Sequence, residues 1–123
     1  MNRYYALINE RGILICPRKR ILTLKQMQNL VGVEGEHAYI EIASYRSYVN
    51  ESITMICDEE FLIKDFQPTC QTIEGHILHG QVLVLATDSK TTESSFTLLT
   101  LRQVLQVILQ TRLIHKGITN EKL

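Results

Sequence analysis

The chain has 123 residues, 45% of them apolar and 21% charged, with 13 basic residues balancing 13 acidic ones. This is the composition of one globular domain, 1–123, with a real core. Zero net charge argues against a general electrostatic nucleic-acid binder, and no apolar run approaches the roughly 18 residues that span a bilayer.

Residues 4–8 and 13–16 are apolar runs around Asn9-Glu10-Arg11-Gly12, which reads as a β-hairpin because Asn opens turns and Gly accepts positive φ. Residues 17–20, Pro-Arg-Lys-Arg, read as a solvated basic connector rather than a phosphate contact, since one basic cluster is ordinary in a neutral protein. Thr23 then caps a helix, with Gln26 completing a capping box and Leu22 and Met27 at hydrophobic-staple spacing. Leu24, Met27, Leu30 and Val31 form its apolar stripe, and Gly32 is expected as a left-handed stop.

Alternation of Ala38, Ile40 and Ile42 with Tyr39 and Glu41 predicts a half-buried strand. Residues 44–51 are read as a loop in which Tyr45, Arg46 and Tyr48 could anchor a partner or cover a sheet edge. Residues 53–68 are the expected central hairpin. Ile53, Met55 and Cys57 form a strand, Asp58-Glu59-Glu60 a solvated acidic turn, and Phe61 and Ile63 resume the apolar run until Pro68 ends pairing. Asp58, Glu59, Glu60 and Lys64 make up a possible polar site there, though as acid/base or metal groups the acids lack a second cluster.

Residues 69–80 are polar and carry His76 and His79. An isolated HxxH between two glycines, with no third donor at ligand spacing, predicts no bound metal, and no cofactor motif is legible. Residues 81–86 are continuously apolar and β-branched, as expected for a central strand covered on both faces. A polar loop over 87–95 leads to a second helix, running from Thr100 to about His115 and ended by Gly117, with 117–123 a frayed tail. Leu99, Thr100, Gln103 and Val104 repeat the cap, box and staple of the first helix. Its stripe is Leu101, Val104, Leu105, Ile108 and Leu109, so Val107 or Leu113 is expected to stay near the surface and to form an interface with a partner protein, a homodimer being favoured.

Cys16, Cys57 and Cys70 have no CxxC spacing and read as reduced, mostly buried thiols. With no signal-like apolar core behind residues 1–5, a cytoplasmic location is expected. The element order predicts an α+β fold: a single antiparallel or mixed β-sheet with two α-helices packed on it.

Leu30-Val31-Gly32, Tyr39-Ile40-Glu41, Cys57-Asp58-Glu59-Glu60, Phe66-Gln67-Pro68 and Gly80-Gln81-Val82-Leu83-Val84-Leu85 stand in an order that resembles the small phage- and plasmid-associated proteins grouped as domain of unknown function 3846. The likeness covers about residues 20–113, with Phe61 in place of a turn glycine and Gln67 in place of an asparagine. The resemblance implies a mobile-element setting and brings no known activity, catalytic residue or cofactor. A non-enzymatic interaction or accessory protein, such as an anti-defence or regulatory factor, is therefore the leading expectation. A small-ligand or nucleotide-binding domain comes second. An enzyme comes last, because Cys57 beside Asp58 is the only nucleophile on offer and lies in an apolar strand.

Overall fold

Two-residue alternation and a tight turn build the first hairpin of this structure, a computed structural model that describes residues 2–32, 40–43, 52–58, 60, 65–72, 75–87 and 96–114. β1 (Arg3–Asn9) and β2 (Gly12–Arg18) pair in antiparallel register from Arg3↔Arg18 to Asn9↔Gly12. The turn works as its sequence suggests: Asn9 Oδ1 accepts the Arg11 N–H at 2.8 Å, and Gly12 takes φ 131°. β2 runs two residues further than expected, through Pro17 and Arg18. The proline is tolerated because β2 is the sheet edge. Its partner Tyr4 sends its own N–H and C=O the other way, to Leu99 at 3.0 and 2.7 Å, so no β1 group at that position lacks a donor.

α1 (Leu24–Val31) follows, then β3 (Ile40–Ala43), β4 (Ile53–Asp58), β5 (Pro68–Gln71), β6 (Ile77–His79), β7 (Val82–Thr87), β8 (Phe96–Thr97), α2 (Leu101–Gln110) and β9 (Arg112–Leu113). The large sheet has the order β2-β1-β7-β4-β3, all antiparallel, with β8 also on β7. Ala86 pairs with Ile53 on one side and Thr97 on the other, so β8 lies on the β1 side of β7. β7 is thus the central strand, buried on both faces, as its unbroken apolar run implies.

The two sides of the pleat seed two cores. Leu7, Ile56, Leu83 and Leu85 meet Leu22, Met27 and Val31 of the α1 segment on one face. Ala6, Ile8, Ile53, Met55, Val82 and Val84 meet Val104 and Val107 of α2 on the other, together with Cys70 and Leu78. The fold is α+β, with the helices on opposite faces of the sheet. Residues 69–80, expected as a polar segment, instead supply β5 and β6, which join β9 in a second antiparallel sheet, β6-β5-β9.

Several local readings are corrected. Pro68 does not end pairing: it opens β5 opposite His79, at a strand start where a missing N–H is tolerated. β4 pairs with β7 and β3 rather than with the segment after it. Gly32 caps α1 with φ −81° and ψ 177°, extended rather than left-handed, its N–H bonded to Gln28 O. α2 stops at Gln110, not near His115. Thr111 takes extended geometry and β9 then pairs with β5, so strand pairing wins over continued helix.

Candidate functional site

Both helices start as their sequences dictate. Thr23 and Thr100 accept the N–H of Gln26 and Gln103, each at 3.2 Å. The two glutamine side chains reach back to the threonine N–H, each at 2.9 Å. In α2 the staple then sets the rotation. Leu99 is fully buried, Val104 packs in the same core, and Val107, one turn on, is buried beside them.

This decides which face looks outward, and it is not the face that stripe counting favours. At about 100° per residue, the sheet takes the arc of Val104 and Val107 and leaves an adjoining apolar arc roughly 100° wide. Leu101 (59% exposed), Leu105 (52%), Ile108 (48%) and Leu109 (82%) lie on that arc. Val107, expected near the surface, is in the core, and Leu113 is half-buried in β9 against the same core. The outward residues are the ones that counting had assigned to the covered stripe. The signal that finds them is the Leu99–Val104 staple, which fixes the fourth helical position inward.

Of the polar site around the acids, Asp58 is not on a solvated turn. It closes β4 at 1% exposure, with its carboxylate accepting the Glu60 N–H at 2.9 Å. Glu60 is half-buried. Glu59 and Lys64 lie outside the described residues, as do Tyr45, Arg46 and Tyr48 and the expected tail 117–123. His79 Nδ1 is 2.8 Å from Phe66 O, and His76 lies before β6, an odd number of residues away. An extended segment sends such a pair to opposite faces, so HxxH does not converge as it would on a helix. Among the described residues no group of three or more His, Cys, Asp or Glu side chains is placed to hold a metal ion, and no helix is long and apolar enough to cross a membrane.

A second region gathers chemistry that sequence reading had divided. At the end of the hairpin a cleft of about 560 Å³ is lined by Asn2, Arg3, Pro17, Arg18 and Lys19. Arg3 and Arg18 are direct cross-strand partners. Arg3 Nη1 donates to Leu98 O at 3.2 Å, and Arg18 donates from Nε to Arg20 O at 2.7 Å and from Nη2 to Gln26 Oε1 at 3.1 Å. Among the described residues no carboxylate pairs with Arg3, Arg18 or Lys19. Arg18 also borders a neighbouring cleft of about 220 Å³, between hairpin and α1, with Tyr5, Leu22, Gln26, Asn29 and Leu30. Burial, and a hydrogen bond with Cys16, hold the Tyr5 phenol above its ordinary pKa.

No family model, curated protein or solved structure matches the chain.

Proposed function

We propose that the protein is a non-enzymatic interaction module that associates with a second copy of itself through the outer face of α2. The observation that carries this reading is the set of four large aliphatic side chains standing about half or more in water on one ten-residue helix. That face offers no nucleophile, base or acid; its chemistry is aliphatic contact. Arg102 is the only charged residue of α2, so two copies can lie face to face with little like-charge conflict, and no charged partner is called for. A module of this kind acts by assembling, as accessory, regulatory or anti-defence factors do.

The magnitudes set the strength. Covering the exposed half of each side chain recovers on the order of 1 kcal/mol, and the eight that two copies contribute fall within the range of association costs rather than above it. One helix face is also smaller than the roughly 800 Å² per partner of standard interfaces. The association is therefore weak and concentration-dependent. A dilution series of amide chemical shifts tests it: shifts are expected along residues 101–110, and spectra unchanged on dilution over a hundredfold range contradict it.

A further inference from the structure

The cleft at the end of the hairpin gathers three cationic side chains, Arg3, Arg18 and Lys19. Like charges directly opposite across a strand pair are destabilising, and Arg3 and Arg18 are such a pair. Their guanidinium groups are nonetheless fastened to Leu98 O, Arg20 O and the Gln26 amide, which limits their freedom to swing apart. Among the described residues, the Nε and Nη2 donors of Arg3, the Nη1 of Arg18 and the ammonium of Lys19 meet no hydrogen-bond acceptor. Two fixed guanidinium groups and an ammonium around one cleft form the donor set of a phosphoryl group.

The adjoining cleft extends that set in one direction. Arg3 and Tyr5 are two residues apart on β1, so they share a face and lie about 7 Å apart along the strand. Tyr5 offers a half-buried ring, Leu22 and Leu30 an apolar wall, and Asn29 an exposed amide. The two clefts share Arg18. We infer that the joined groove binds a mononucleotide, its phosphate held by Arg3, Arg18 and Lys19 and its base laid against Tyr5 with its edge toward Asn29.

The four ribonucleoside 5′-monophosphates, the matching nucleosides and inorganic phosphate are titrated by calorimetry into the full chain and its variants. At least one nucleotide is expected to bind, at least tenfold more tightly than inorganic phosphate or its own nucleoside, and more weakly as salt rises. Arg3→Gln and Arg18→Gln should each weaken it roughly tenfold or more, the effect of losing a charge-assisted contact. Lys19→Gln, at an exposed side chain, should weaken it without touching the fold, and Tyr5→Leu should lower nucleotide affinity while sparing that for phosphate. No heat with any nucleotide at millimolar concentration overturns the inference, as does affinity unchanged in Lys19→Gln and Arg3→Gln. Equal affinity for nucleotide and inorganic phosphate overturns the assignment of the ring subsite.

Discussion

Cys70 sits where the small sheet meets the large one, paired with both Leu78 and Leu113 and sealed from solvent. Burial pushes its thiol up to about 11, against the opposing effect of a Thr69 hydrogen bond. Because the folded pKa lies above the unfolded one, the stability is whole below about 9 and is lost as pH rises from about 9 to about 11, at up to roughly 1.4 kcal/mol per pH unit. Cys70→Ala is expected to remove that alkaline limb from a stability–pH profile. At pH 8 the half-buried Cys16 should react with a thiol reagent well before Cys57 or Cys70, which are buried; prompt labelling of Cys70 in the folded protein would contradict this. Gly80 carries a different constraint. It takes φ +77°, and a Cβ there would stand 2.5 Å from the Phe66 ring. Gly80→Ala should cost about 1–2 kcal/mol from backbone conformation alone, and more from the displaced ring, measurable as a lower denaturant midpoint. The sequence showed Gly80 beside two histidines and ahead of an apolar strand but not its constraint, because what a glycine must clear is set by a residue from another segment.

At the level of elements, the capping boxes were the most legible feature, since every group involved lies within four residues. Thr23→Ala and Thr100→Ala are each expected to destabilise the protein by about 0.5–2 kcal/mol in chemical denaturation, by orphaning the Gln26 or Gln103 N–H. An unchanged midpoint in both would contradict the cap assignment. What the boxes also encode, through their staples, is helix rotation: Met27 and Val104 turn inward, while Leu24 and Leu101, two residues after each staple's first member, turn outward. Counting apolar residues misses this when a helix is apolar over more than half its circumference. The short strands β5, β6 and β9 were less legible for another reason. Thr69, Gln71 and Thr72 look like loop residues until Thr69 Oγ1 is seen donating to Leu78 O and Gly80 O, at 3.2 and 2.8 Å.

On the scale of the whole molecule, the α+β class and the central place of β7 followed from its unbroken apolar run between polar segments. Which face each helix takes, and that Pro68 begins a strand in a second sheet, depend on pairings between distant residues that no local pattern reports. The candidate sites divide the same way. The outer arc of α2 follows from the Leu99–Val104 staple once its rotation is carried along the helix, whereas the basic cleft could be read only once Arg3 lay opposite Arg18. The central claim is that the exposed α2 face joins two copies. Sedimentation equilibrium up to about 1 mM tests it most directly, a range set by the weak association expected of so small a face. The account predicts a weight-average mass rising from monomer toward dimer with concentration, and a Leu105→Glu/Leu109→Glu variant that stays folded and monomeric throughout. A wild-type chain of monomer mass at every concentration, or a dimer that survives both substitutions, would contradict it.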